Sequence, residues 1–281
     1  MKKTKLRVGR IPYANLFPTF NYLERKCDLS DYRFVEGVPS TLNRMLREGK
    51  LDISPSSSIE YLKNKKKYFI LPWFTISSTG PISSILLFSK LPLKELHNKT
   101  VAVTSASETS VLLLKIILNK FLSLKCRFKK IKRTSVKNIL SSYPAVLLIG
   151  DQAMKQAKLL SAVKKSPVSS IVSRPSRLYI YDLGELWAEH TDLPFVFALW
   201  IVRKDAVTKK MELIKKLSAD LLKAKKFAPK QLSSIAKQAP QKKWLSEKDL
   251  VNYWKKISYD FTEQHMEGLR LFEQYVVKTR K

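Results

Sequence analysis

Polar corners stand at four points where an apolar run gives way to a helical pattern: "IPYAN" (11–15), "SPSSSIE" (54–60) and "TSASETS" (104–110), which carry hydroxyl or amide side chains, and "IGD" (149–151), which carries a carboxylate. In open α/β sheets, ligands sit beyond the carboxyl ends of the strands. Helix N-termini there offer N–H donors and a positive dipole end to anions. Hydroxyls add donors without adding charge. Such a set can grip a small carboxylate, a dianion included. On this logic Ser56, Ser57, Ser107, Thr109, Ser110 and Asp151 are candidate substrate contacts. The competing reading is that these serines merely start helices. Ser57-x-x-Glu60 and Ser105-x-x-Glu108 both fit a capping box, in which serine and glutamate satisfy free N–H groups reciprocally.

Other catalytic equipment is thin. His97, His190 and His265 are scattered, and the mid-helix setting of His265 favours packing or exposure over chemistry. No H-E-x-x-H, G-x-S-x-G, G-x-x-x-x-G-K-[ST] or G-x-G-x-x-G occurs, and the chain has only seven glycines, so zinc hydrolysis, serine hydrolysis and nucleotide binding lack support. No metal ligand set is read. What remains is a binding protein, or an enzyme whose substrate needs placement and electrostatic help.

The elements that must position these groups alternate. Strands are expected in "KLRVGRIPY", "YRFVEGVP", "LDIS", "KTVAVTSAS" and "PAVLLIG". Helices are expected in "ANLFPTFNYLE", "STLNRMLREG" (capped by Ser40, ended by Gly49), "ETSVLLLKIILNKFL", "DQAMKQAKLL" and "YDFTEQHMEGLRLFEQYVV". In the last helix Phe261, His265, Leu269, Phe272 and Val276 form one row. This alternation predicts an α/β fold of mixed, mostly parallel sheets flanked by helices. Two apolar runs, 82–93 and 193–203, are read as strands crossing between two lobes. Lobe 1 is then 1–91 with 193–281, and lobe 2 is 92–192, inserted, with a ligand cleft between the lobes.

The 281 residues suffice for a substantial core. Cys27 and Cys126 stand in no metal or redox spacing, which predicts no disulfide and a reducing, cytoplasmic setting. The basic N-terminus lacks the apolar stretch of a signal peptide, and no segment approaches the ~20 apolar residues of a membrane helix. Lys plus Arg is 53 and Asp plus Glu is 23, a net charge of +30. The lysine runs 64–68, 125–133 and 223–230 have little aromatic interleaving, so they are read as solvated surface rather than as a nucleic-acid interface. Such a field still draws in small anions.

"VGRIPYANLFPTF", "EGVPSTLNRMLREGKLDISPSSSIEY", "SSTGPISSILLFSK", "VAVTSASETSVLLLK", "LLIGDQA" and "YDLGELWAEHTDLPFVFALW" occur in this order. Together they resemble the chorismate dehydratases of the futalosine route to menaquinone, over about residues 5–205. The resemblance implies a two-lobe fold like type 2 periplasmic binding proteins and a hydro-lyase using no metal or organic cofactor. Its substrate is chorismate and its product 3-[(1-carboxyvinyl)oxy]benzoate. It also implies that Asn15, in "PYAN", lies close to the reacting ring, and that Ser84, in "GPISS", contacts the enolpyruvyl carboxylate. Read without it, Asn15 is a helix cap and Ser84 an ordinary inward strand hydroxyl. The sequence departs from the family pattern at Asp192, where glycine is expected before "LPFVF", and at "SPSSS", which blurs the register of the contacting serines.

Three alternatives are weighed. The sister 1,4-dihydroxy-6-naphthoate synthase carries a histidine at the corner after the strand matching "VLLIG", where Gly150 and Asp151 stand here. A noncatalytic carboxylate-binding protein or sensor would need no chemistry at these corners. A nucleic-acid binder would show salt-dependent affinity. Oligomeric state is left open.

Overall fold

The structure, a computed structural model, describes residues 4–132, 135–164 and 178–278. Arg133, the end of one basic run, and 165–177 of the expected second lobe lie outside the described residues. The chain divides into two compact units: residues 1–78 with 193–273, and 79–192 with 274–281.

The first unit holds β1 (Leu6–Arg10), α1 (Phe17–Lys26), β2 (Tyr32–Glu36), α2 (Pro39–Arg47), β3 (Ile53–Ser57), α3 (Ser58–Lys63) and β4 (Tyr68–Ser78). The second holds β5 (Ile85–Ser89), β6 (Thr100–Thr104), α4 (Glu108–Ile116), β7 (Arg127–Ile131), α5 (Val136–Leu140), β8 (Ala145–Ile149), α6 (Gly150–Lys164), β9 (Tyr179–Asp182) and α7 (Leu183–Thr191). The chain then returns to the first unit for β10 (Phe195–Arg203), α8 (Lys204–Phe227), α9 (Leu232–Ala236), α10 (Glu247–Lys255) and most of α11 (Glu263–Lys278), whose residues from 274 on belong to the second unit.

The first sheet has the order β2-β1-β3-β10-β4; β1 is parallel to β2 and β3, and β10 is antiparallel to β3 and β4. The second has the order β7-β6-β8-β5-β9; β6 is parallel to β7 and β8, and β5 is antiparallel to β8 and β9. Its inner strands β6, β8 and β5 read as apolar runs because both faces are covered, whereas the edge strand β7 is largely exposed and basic. Leu86, Phe88, Ala102, Val146 and Leu148 pack with residues of α5 and α6. Their alternates Leu87, Val101, Val103 and Leu147 are equally buried.

Several expectations need correction. The run 82–93 does not cross between units: β5 zips onto β8 and β9, and all five of its residues are buried. The run 193–203 likewise belongs wholly to the first sheet. The chain changes unit at 78/79 and 192/193, outside regular strands, so residues 79–91 join the second unit, as does 274–281. Ser40 does not cap α2; its N-cap is Val38, with Pro39 opening the helix. In α11 the row from His265 through Leu269 and Phe272 to Val276 is buried as expected, but Phe261 precedes the helix.

Two details explain the residues used. A Cβ on Gly9 would stand 2.2 Å from the Ser54 hydroxyl oxygen, so β1 and β3 approach this closely only with glycine there. Asp192, at the position where glycine was expected, has φ 55° and ends α7 in the left-handed region. Glycine fits that conformation best, and aspartate tolerates it.

Candidate active site

In the first unit β1 ends at Arg10 and leads into a 3-10 turn, Ala14–Leu16, that carries Asn15. Asn15 is half-buried, its Oδ1 is enclosed without a hydrogen-bond partner, and it is not a side-chain helix cap. Residues distant in sequence hold its backbone. Trp254 Nε1–H donates to the Ala14 carbonyl at 2.7 Å, and Tyr259 O–H donates to the Asn15 carbonyl at 2.5 Å. Trp254 also stacks on Phe17, with centroids 6.3 Å apart. Tyr259 is fixed in turn because Ser258–Asp260 pairs with the end of β4. Thr75 N–H donates to the Tyr259 carbonyl at 3.1 Å, and Ser77 and Ser258 exchange backbone bonds of 2.9 and 2.8 Å. Burial pushes the Tyr259 phenol well above its ordinary range, so it stays a donor. These C-terminal partners escaped sequence reasoning; the one signal is the run of aromatics Tyr253, Trp254, Tyr259 and Phe261 after the last lysine-rich stretch.

The serine-rich stretch is strand rather than corner, since β3 runs through Ser57. Each hydroxyl has its own fate. Ser54 donates to the Pro55 carbonyl at 3.0 Å, and Ser57 accepts from Asn43 Nδ2 on α2 at 2.9 Å. Ser58 donates to the Val196 carbonyl. Ser56 is fully buried and its Oγ is without a partner. The expected Ser57–Glu60 capping box does not form. Ser57 occupies the N-cap without a side-chain capping bond, while Glu60 turns to Arg47, Tyr68 and Asn64.

In the second unit the candidates share the edge where the parallel strands β6 and β8 end. Ser84 directly precedes β5, whose antiparallel register pairs Ile85 with Ile149 and brings it beside the end of β8. The Ser84 carbonyl accepts from Gly150 N–H at 2.6 Å, and Gly150 has φ +60°. Ser84 is 4% exposed. β9 ends at the same edge with Asp182, which receives N–H groups from Ile82, Ser83, Gly184 and Glu185. Burial pushes this carboxyl upward, more than those four donors pull it down. After β6, Ser107 caps α4: its Oγ accepts from Ser110 N–H at 3.2 Å and lies 3.0 Å from Ser110 Oγ. The cap is thus Ser107, not the expected Ser105, which is exposed. Thr109 is buried in the same turn, and Asp151 lies in the first turn of α6.

The histidines do not join either edge group. His190 bonds the Leu186 carbonyl through Nδ1 and stacks on Phe121, and His265 Nδ1 pairs with Thr262 Oγ1 at 2.8 Å. Among the described residues no cluster of three His, Cys, Asp or Glu could hold a metal ion, and Cys27 and Cys126 are free. No helix among them is long and apolar enough to cross a membrane.

The profile of the family described as menaquinone biosynthesis matches residues 6–278. The chain belongs to that family. A Thermus thermophilus member named chorismate dehydratase is 33% identical over 268 residues, covering 95% of this chain and 93% of the relative. Solved structures share the two-unit α/β architecture. An Archaeoglobus fulgidus protein aligns with a TM-score of 0.78 at 18% identity, over 100% of this chain and 99% of its own. The alkanesulfonate-binding protein of Xanthomonas axonopodis pv. citri, bound to MOPS, gives 0.69 at 13% identity, over 100% and 94%. This menaquinone-family chain therefore has a periplasmic-binding-protein-like fold. The family match runs on through the C-terminal helices, well past the stretch that carries the sequence motifs.

Proposed function

We propose that this chain is a cofactor-independent chorismate dehydratase, a cytoplasmic hydro-lyase that converts chorismate to 3-[(1-carboxyvinyl)oxy]benzoate and water. The observation that carries the reading is the 33% identity to the Thermus chorismate dehydratase across nearly the full length of both chains.

The chemistry suits neutral donors. Chorismate carries two carboxylates, and its C3 proton is acidified through the ring diene. Loss of that proton and of the C4 hydroxyl, which departs as water, leaves an aromatic ring, and aromatisation supplies the drive. The protein must hold the dianion, stabilise charge spreading into the ring carboxylate and assist one proton transfer. A lysine clamp would bind ground and transition states alike. In this reading Asn15 sits against the ring and Ser84 holds the enolpyruvyl carboxylate, which itself takes the C3 proton. Ser56, Ser57, Ser107, Thr109, Ser110 and Asp151 are the further substrate contacts in this reading.

The Asn15→Ala, Ser84→Ala double variant should lose turnover by orders of magnitude while melting like the parent. Near-normal turnover in that variant rejects both roles.

A further inference from the structure

Asp182 is the last residue of β9 and the N-cap of α7. Its carboxylate gathers backbone N–H groups from two stretches a hundred residues apart. Gly184 and Glu185, in the first turn of α7, donate to Oδ1 at 2.9 and 3.4 Å. Ile82 donates to Oδ1 at 3.1 Å and Ser83 to Oδ2 at 2.5 Å. Capping α7 needs only the first pair, and serine, threonine or asparagine would serve as well there. Holding the second pair needs a side chain with an acceptor on each of two oxygens and the reach of a carboxylate.

The second pair is where the chain is strained. Ser83 has φ +61°, a left-handed conformation that a non-glycine residue keeps only when its surroundings hold it. The next residue is Ser84, whose carbonyl is fixed by Gly150 N–H. The Ser84 backbone is thus pinned on one side by Gly150 and on the other by the Asp182 clamp on Ile82 and Ser83. The carboxylate is 7% exposed, and its described partners are backbone N–H groups. Burying an anion is costly unless its hydrogen bonds are met. A plain helix cap would not require that cost.

We propose that Asp182 is a positioning residue: by clamping the Ile82–Ser83 backbone it aims the Ser84 hydroxyl at the substrate. This rests on the reading of Ser84 as a substrate-binding group. Misplacement of such a group by about 1 Å can cost on the order of 100-fold in rate.

The test is Asp182→Ser, which keeps a capping oxygen for Gly184 and Glu185 but cannot reach Ile82 and Ser83. Turnover of chorismate is measured for the parent, Asp182→Ser, Ser84→Ala and the double variant. Amide hydrogen exchange is followed alongside. The expected result is a drop in kcat of roughly 10- to 100-fold, with KM changed by no more than a few-fold. Exchange should speed up at Ile82 and Ser83 but not in α7. The double variant should be no slower than Ser84→Ala alone. Parental kcat in Asp182→Ser, with Ser84→Ala crippled, overturns the positioning role and leaves Ser84's role intact. Losses that multiply in the double variant also overturn it, since the aspartate then acts apart from Ser84. Parental turnover in Ser84→Ala removes the reading of Ser84 and the clamp's purpose with it. If Asp182→Ser does not fold, Asp182→Asn replaces it: the amide keeps Oδ1 as an acceptor and turns an NH2 against Ser83 N–H. The same pattern of rates is expected, and the same outcomes overturn the proposal.

Discussion

The serines at 54–58 mark what a sequence shows about single residues and what it hides. Their density was legible. Which hydroxyls are spent inside the fold was not, because the partners are remote: Asn43 on α2 for Ser57, the Val196 carbonyl on β10 for Ser58. Gly9 could not be tied to Ser54 from sequence either, since only the β1–β3 pairing brings them together. His265 was read as packed or exposed rather than chemical; it is buried, and its surroundings have a measurable consequence. Burial, aided by Lys225 and opposed by Asp260, pulls its pKa below the ordinary value. The folded protein therefore resists protonating it. Its contribution to stability is whole above the unfolded pKa of about 6.5 and is lost as pH falls below that value. His265→Phe should flatten the fall in denaturation midpoint between pH 7 and pH 5. An unchanged slope would show that the ring is protonated as easily in the folded state as in the unfolded one.

Most strands and helices were visible as elements because hydrophobic period and turn residues agree locally. Their ends were less so. The expected "LDIS" strand continues through Ser57, against the pull of Pro55, because β10 pairs with it from Ile53 to Ser57. The caps moved for the same reason: Glu60, expected to reach back to a helix N-terminus, finds Arg47 and Tyr68 instead. The segment after α10 shows tertiary contact deciding local structure. Nothing in "ISYDF" announces a role, yet it pairs with the end of β4 and holds the Asn15 turn. Tyr259→Phe removes one donor and leaves the Asn15 carbonyl unmet. The expected loss is about 1–3 kcal/mol of stability, read by chemical denaturation. A fall in kcat larger than any change in KM for chorismate should accompany it. Parental kcat would show that Asn15 holds its place without this bond.

For the molecule as a whole, the family and the two-unit α/β architecture were legible from ordered motifs, and the junctions were not. Long apolar runs look like crossing strands in sequence, whereas the structure buries each within one sheet and changes unit in the loops at 78/79 and 192/193. A net charge of +30 gives the protein a field that attracts a doubly negative acid. The charge does not choose among anions; in the proposed reading, neutral donors do that. The most direct measurement is to mix the purified, chelator-treated chain with chorismate and follow the diene absorbance, with the product weighed by mass spectrometry. The account predicts protein-dependent loss of the diene and a product lighter than chorismate by one water. Persistent diene absorbance and an unchanged mass, with correctly folded protein, would contradict it.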